Sequence, residues 1–171
     1  GGAIYILNGA AVISNVTMTN NQALQSRGAH LYCRNCTYGM VIGRNTISGG
    51  KAMWGGGMYL TAGTNLENVI RIENNYIYDN EATGGDGAGI FLNGNTIGSS
   101  IHNNTMVHNT IPLSGAPCPC GANVSYIGGG QPSIINNIFA YGVGGLGFYI
   151  NGPATANIEY NLFYLNESGA V

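Results

Sequence analysis

Charged side chains are scarce in this sequence. Only five Lys and Arg and seven Asp and Glu occur in 171 residues, and residues 87–158 contain none of them. The net charge is −2, and no cluster of Lys or Arg provides the electrostatic footprint of a nucleic-acid-binding protein. Hydrophobic residues make up 44% of the chain, which is too many for a disordered protein with so little charge. We therefore expect a folded protein that does not bind nucleic acid.

Long apolar runs and helical periodicity are also missing. The chain has no run of about 18 apolar residues, which predicts that it does not insert into a membrane. No segment offers about ten residues with the period of an amphipathic helix, and no strict Gly-X-Y repeat indicates collagen. The chain begins with neither an initiator Met nor a signal peptide, so we expect a processed product or a piece of a longer protein.

Glycine and asparagine are abundant instead, with 29 Gly and 23 Asn. Many of them belong to an internal repeat. Six segments open with a Gly-rich or small-residue turn and a short β-type run, and they begin at residues 1, 28, 55, 87, 121 and 145. Two short β-type runs per segment, separated by Gly and Asn turns, predict a solenoid in which each coil stacks on the previous one.

A second signature recurs in every segment. It consists of an aliphatic residue, an Asn three positions later and an apolar residue two positions after that Asn. We expect the Asn to stack at a corner, each amide bonding the turn backbone and the neighbouring Asn. The predicted Asn ladder contains Asn15, Asn45, Asn75, Asn104, Asn137 and Asn161.

Alternation along the first β-type run leaves one residue of each segment on the outer face. These residues form an aromatic row that Ser125 interrupts: Tyr5, Tyr32, Tyr59, Phe91 and Tyr149. The row is consistent with stacking on sugar rings, with protein–protein contact or with pairing between neighbouring strands. An exposed row of this length is unusual on a monomer, so we favour a contact surface.

The repeat as a whole resembles the right-handed parallel β-helix proteins of the pectate-lyase-like superfamily. The Gly-Gly-Ala-Ile opening and endings such as Phe163-Tyr164-Leu165-Asn166 are similar to the passenger repeats of bacterial polymorphic outer-membrane proteins. The resemblance implies an all-β single domain over residues 1–171, a parallel β-helix of about six coils without a capping helix. It says little about activity, because one fold hosts many functions.

Four cysteines form two close pairs, Cys33 with Cys36 and Cys118 with Cys120. Zinc is disfavoured because the second spacing is atypical of zinc sites. Structural disulfides in an oxidising compartment fit better. Pairing within each motif and bridges between subunits both stay open.

Acidic residues suggest at most a weak calcium site, at Asp79, Glu81 and Asp86. A solvated loop is the favoured interpretation, and we expect no cofactor. We assign no catalytic residue, and enzymatic activity is disfavoured, although the resemblance would make an active member a polysaccharide lyase or glycoside hydrolase.

N-glycosylation sequons occur at Asn35, Asn103, Asn123 and Asn166. A fifth, at Asn15, is expected to lie in the buried ladder. We expect Asn35 and Asn123 to lie in loops, where glycans would hydrate a surface that has little charge.

Charge is sorted along the chain and suggests how copies associate. Residues 1–60 contain four basic residues and no acid, whereas residues 61–171 contain one Arg and all seven acids. We therefore expect an extracellular or cell-surface structural protein whose copies stack head to tail into a filament, sheath or surface layer. The alternative is a polysaccharide-binding or polysaccharide-cleaving module of a larger surface, adhesin or tailspike protein. The expected partners are further copies of the chain or a polysaccharide.

Overall fold

A computed structural model describes residues 1–62, 69–94, 97–112 and 120–167. Within these residues lie 21 strands and no helix. The strand pairings among the described residues are parallel, and each strand pairs with its counterpart one coil away. The predicted all-β parallel solenoid is confirmed.

Three sheets of six strands form the walls of the solenoid. Sheet A contains β1 (Ile4–Leu7), β5 (Leu31–Cys36), β9 (Met58–Ala62), β13 (Ile90–Asn93), β16 (Gly121–Ile127) and β19 (Leu146–Asn151). Sheet B contains β2 (Val12–Ser14), β6 (Met40–Gly43), β10 (Ile70–Glu73), β14 (Ser100–His102), β17 (Ser133–Ile135) and β20 (Asn157–Glu159). Sheet C contains β3 (Thr17–Thr19), β7 (Thr46–Ser48), β11 (Tyr76–Tyr78), β15 (Thr105–Val107), β18 (Ile138–Ala140) and β21 (Leu162–Tyr164).

A fourth, shorter sheet lies between sheet C of one coil and sheet A of the next. Sheet D contains β4 (Gln22–Arg27), β8 (Lys51–Trp54) and β12 (Glu81–Ala82). Each of its strands directly precedes a sheet A strand in the chain, in the order β4 and β5, β8 and β9, and β12 and β13.

The core is a stack of aliphatic columns inside the solenoid. In sheet B the parallel register places one Ile of each coil directly on the next, and four of these are buried: Ile42, Ile72, Ile101 and Ile134. Full burial of each such side chain contributes roughly 1.5–3 kcal/mol. The alternating pattern of the sequence therefore produces the predicted inward face.

The Asn ladder lies at the corner between sheets B and C. The Oδ1 atom of Asn75 accepts from the backbone N–H of Asn45 at 3.0 Å, and its Nδ2 atom donates to the carbonyl of Ile42 at 2.9 Å. The contacts repeat through the next coils in Asn104, Asn137 and Asn161. The side-chain amide of each Asn thus bonds a backbone N–H and a carbonyl that have no partner within the sheets at the turn.

Asn15 is not part of this ladder, and here the prediction was wrong. Ile13 pairs with Ile42, so Val16 takes the ladder position, and its N–H donates to Asn45 Oδ1 at 2.9 Å. Asn15 is exposed at the preceding position, with φ of 59°. The error arose because two adjacent aliphatic residues, Val12 and Ile13, allowed two frames for the repeat.

A second column of polar side chains lies at the corner where sheet C leads back towards sheet A. In four coils an Asn occupies the same position after the sheet C strand: Asn21, Asn80, Asn109 and Asn166. Gly50 and Gly142 occupy that position in two other coils, since their N–H groups donate to Asn80 and Asn166.

Where this position is glycine, a side chain from sheet A fills the space. Asn123 accepts from Asn109 Nδ2 at 2.8 Å and donates to Asn166 Oδ1 at 3.0 Å, which bridges the coil of Gly142. His30, the residue before β5, fills the space in the coil of Gly50, and its Nδ1 lies 2.8 Å from Asn21 Nδ2. We call this set the polar column: Asn21, His30, Asn80, Asn109, Asn123 and Asn166.

The polar column therefore contains one side chain per coil, taken from either of two positions. A Cβ atom at Gly142 would lie 3.1 Å from Asn123 Nδ2 and 2.9 Å from Asn166 Oδ1. One at Gly147, which is the sheet A position in the coil of Asn166, would lie 2.7 Å from Asn166 Nδ2. In these two coils a side chain at the second position would crowd the amide at the first, whereas the first coil pairs Asn21 with the small side chain of Ala3.

This arrangement predicts compensation between Asn123 and Gly142. Asn123→Gly removes one of the two hydrogen bonds of Asn109 Nδ2 and one of the two of Asn166 Oδ1. Gly142→Asn crowds the corner, so each change should cost about 2 kcal/mol. The double variant restores one amide to the coil and should recover at least half of the summed loss. Urea unfolding followed by circular dichroism measures the coupling as a double-mutant cycle. Simply additive losses would contradict the compensation.

Candidate functional site

A shallow groove runs along the corner between sheets B and C, outside the Asn ladder. Its volume is about 580 Å³. It spans the second, third and fourth coils, and the ladder residues Asn45 and Asn75 lie along it. The other residues that line it are Arg44, Thr46, Asn74, Tyr76, Asn103 and Thr105.

Local backbone geometry explains why this corner presents polar groups. The residue before each ladder position adopts a left-handed conformation, with φ of 57° at Arg44, 58° at Asn74 and 57° at Asn103. Asn tolerates this conformation better than most residues because its amide bonds the local backbone. All three side chains are exposed, one coil apart.

Tyr76 forms a raised aromatic platform in the groove. Its register partners in the neighbouring coils are Thr46 and Thr105, which are much smaller. The Tyr76 ring is 44% exposed and stacks on Tyr78, with 4.4 Å between ring centroids. The Tyr76 ring therefore lies between the hydroxyl-bearing side chains of Thr46 and Thr105.

Among the described residues that line the groove, Arg44 is the only charged one, and none is an acid. The ion pairs found among the described residues are Lys51 with Glu81 at 2.8 Å and His108 with Asp79 at 3.8 Å, so Arg44 is available to a ligand.

The aromatic row on sheet A exists, but its middle is covered. Ring centroids of neighbours lie 5.1, 5.4 and 4.7 Å apart along Tyr5, Tyr32, Tyr59 and Phe91. Tyr59 and Phe91 are each only 6% exposed. Tyr149 is half-buried, beyond Ser125. The row is therefore not the continuous exposed surface that we expected.

The side chain of Arg27 covers part of the aromatic row. Its guanidinium lies 5.0 Å from the ring centroid of Tyr59 and 5.1 Å from that of Trp54, at cation–π distance. Arg27 ends β4, which directly precedes the sheet A strand β5 in the chain. Burial raises the pKa of Tyr59, and the charge of Arg27 opposes this shift.

The three calcium candidates have separate local partners. Asp79 pairs with His108, and Glu81 with Lys51. Asp86 accepts from the backbone N–H of Gly121 at 3.2 Å. Burial raises the pKa of Asp86, and hydrogen bonds from Ser125, Gly121 and Gly87 oppose the shift. In the part of the chain that the structure describes, no three His, Cys, Asp or Glu residues form a group that could hold a metal ion.

The cysteines have structural partners where they are described. Cys33 and Cys36 form a disulfide within β5, and both are buried. Cys120 is also disulfide-bonded. Cys118 lies outside the described residues.

The sequons separate into buried and exposed groups. Asn123 lies fully buried in β16, not in a loop as we expected, and its amide belongs to the polar column. The amide of Asn166 bonds Gly142, Asn123 and Phe139. Asn15, Asn35 and Asn103 are exposed.

Sequence reasoning missed one pair of reactive groups on the outer face of sheet B. His102 Nε2 lies 3.0 Å from Ser133 Oγ, and Glu73 is the register partner of His102 in the neighbouring coil. No ion pair joins Glu73 to His102. The N–H of Ser133 bonds the carbonyl of Ser99 within the sheet, so it is not available to stabilise an oxyanion. The hydrogen bond supports sheet pairing and not nucleophilic catalysis.

Stacked parallel coils, an aliphatic interior and a buried corner ladder of Asn define a parallel β-solenoid. The particular family follows from comparison with known families, because the one described as "Right handed beta helix region" matches residues 1–139. The chain belongs to this family. No curated protein and no solved structure matches the chain. Among the described residues, no helix is long and apolar enough to cross a membrane.

Burial predicts which sequons can carry a glycan in the folded protein. We expect glycans on Asn15 and Asn35, which are exposed outside the groove, and none on Asn123 or Asn166, because a glycan there would displace an amide from the polar column. Peptide mapping of the folded protein, secreted from a host that N-glycosylates, measures occupancy. A glycan on Asn123 in folded protein would contradict the assignment.

Proposed function

We propose that this chain is an extracellular or cell-surface β-helix that binds a polysaccharide in the groove between sheets B and C. The observation that carries the proposal is the exposed ring of Tyr76 between rows of amide and hydroxyl groups, with Arg44 at one end. The same groove lacks carboxylates, so the proposed role is binding and not cleavage.

The groove has the chemistry that sugars require. A sugar ring has an apolar face that packs on an aromatic ring, and its hydroxyl groups both donate and accept hydrogen bonds. Asn74 and Asn103 offer amide donors and acceptors, and Thr46 and Thr105 offer hydroxyl groups. The repeated corner presents such groups about every 4.8 Å along the axis, which suits an extended chain molecule.

Cleavage would require groups that this groove does not contain. Glycoside hydrolysis commonly uses two carboxylates on either side of the bond. No Asp or Glu lines the groove, and Asp79 and Glu81 are engaged by His108 and Lys51. Binding is therefore the function that the geometry supports best.

Two substitutions test the proposal, and each introduces the residue type that neighbouring coils have at the equivalent position. Tyr76→Thr copies Thr46 and Thr105, and Arg44→Asn copies Asn74 and Asn103, so both should fold normally. Tyr76→Thr should weaken polysaccharide binding about tenfold, which corresponds to about 1.4 kcal/mol. Arg44→Asn should weaken binding to acidic polysaccharides more than to neutral ones.

A glycan array followed by calorimetry on the strongest ligand measures these effects. Tyr5→Thr is the matched control, because Tyr5 is the exposed end of the aromatic row on sheet A. Loss of binding in Tyr5→Thr with none in Tyr76→Thr would move the site to sheet A. A wild-type protein that binds no glycan would overturn the proposal.

A second candidate function is head-to-tail stacking of copies, which the charge distribution favours. Arg27, Arg34, Arg44 and Lys51 all lie in the first two coils, whereas the last coil carries Glu159. Exposed apolar side chains also occur in the first and last described coils, with Val12 at 71% and Leu165 at 65% exposure. Complementary charge would orient such a contact more than strengthen it.

Sedimentation velocity and electron microscopy test the stacking. We expect assemblies that shorten as salt screens the charges. Glu159→Lys should weaken assembly, because it reverses the charge that the last coil carries on its sheet B strand. A dispersed monomer at high concentration and low salt would rule this candidate out.

A further inference from the structure

We propose that His30 makes the polar column sensitive to mild acid, so that protonation of its imidazole loosens the contact between the first two coils. The inference concerns the stability of the solenoid and does not depend on polysaccharide binding. It rests on the position of one titratable ring in a column whose other members are amides.

His30 is fully buried and has a defined partner. Its Nδ1 atom lies 2.8 Å from Asn21 Nδ2, so Nδ1 accepts and the neutral ring carries its proton on Nε2. Nε2 is buried and has no hydrogen-bond partner. A Cβ atom at Gly50 would lie 2.6 Å from Cδ2 and Nε2 of the ring. The imidazole therefore packs directly against Gly50, in space that any larger residue would occupy.

Protonation conflicts with this arrangement. A second proton turns Nδ1 into a donor, which then faces the Nδ2 donor of Asn21. The imidazolium also places a positive charge in a buried corner, where desolvation is costly. To relieve the conflict, Asn21 must turn its amide or the first coil must move away from the second.

The surrounding charges do not compensate. Lys51 and Glu81, on the sheet D strands next to Gly50 and Asn80, pair with each other at 2.8 Å. Arg27 lies over Trp54 and Tyr59 on the same side of the solenoid. Two of these three charges are positive, and the one carboxylate is already paired.

The direction of the pKa shift agrees with the geometry. Burial lowers the pKa of His30 from its usual 6.5, and contacts with the Asn80 side chain and the Ser48 backbone partly oppose this. The unfolded chain therefore binds a proton at a higher pH than the folded chain does. Stability from this residue is complete above about pH 6.5 and falls as the pH drops through the folded-state pKa.

The effect should be local. The later coils contribute Asn80, Asn109, Asn123 and Asn166 to the polar column, and amides do not titrate in this range. Asn123 also shows that an Asn at the sheet A position satisfies the column where the facing residue is glycine. His30→Asn copies this solution and is the natural test variant.

Thermal unfolding and hydrogen exchange between about pH 7 and pH 5, the range in which histidine titrates, test the inference. The wild type should lose stability towards pH 5, and its amides in the first two coils should gain exchange, after correction for intrinsic rates, more than those in later coils. His30→Asn should remove this dependence. The control His108→Asn, which changes an exposed histidine, should behave as the wild type.

An NMR titration of the wild-type imidazole provides the second measurement, and it decides the matter if His30→Asn does not fold. A His30 resonance that titrates below pH 6.5 supports the inference. A His30 that titrates at or above pH 6.5, or a His30→Asn variant with the same acid response as the wild type, would overturn it.

Discussion

Every coil of this solenoid depends on the satisfaction of backbone groups at its corners. Where a strand of sheet B ends, the chain turns through a left-handed residue, and the N–H and carbonyl groups beside the turn leave the sheet pattern. A buried Asn supplies both missing partners, as Asn75 does for Asn45 and Ile42. Amides do this without charge, which explains how a chain with so few ionised side chains can have a well-bonded interior. An unpaired group at such a place would cost about 1–3 kcal/mol.

The polar column shows that each coil needs one polar side chain at this corner, and that either of two residue positions can supply it. Asn109 follows β15 and Asn123 lies within β16, yet their amides bond directly. Glycine or the small Ala3 lies opposite each side chain because the corner has room for one large group, as the crowding at Gly142 demonstrates. Some glycines of this repeat are therefore needed because the side chain of a neighbouring residue fills the space beside them, and not only because they form turns.

Much of the fold could be predicted from the sequence, because stacking repeats the same alternation in every coil. Five of the six predicted ladder residues lie in the ladder, and Asn15 does not, because Val12 and Ile13 allowed two frames. Asn or Gly recurs five residues after each ladder Asn, but the polar column was missed because only the contacts of Asn123 show that a sheet A residue replaces the amide that Gly142 lacks. The cover over Tyr59 was also missed, since Arg27 ends the first coil and Tyr59 lies in the third. Errors of this kind arise from contacts between coils, which a pattern within one coil does not contain.

The Asn ladder also explains why the groove can carry a function. The ladder holds the backbone of the corner at a constant spacing, and the residue just outside it is free to vary, as Arg44, Asn74 and Tyr160 show at equivalent positions. Surface chemistry can therefore change without a change in the interior. The two corners are nevertheless linked through the second coil, since Arg44 and His30 belong to the same turn of the chain. If acid moves the first coil away from the second, the groove keeps both its charged end and its aromatic ring, because its residues lie in the second, third and fourth coils.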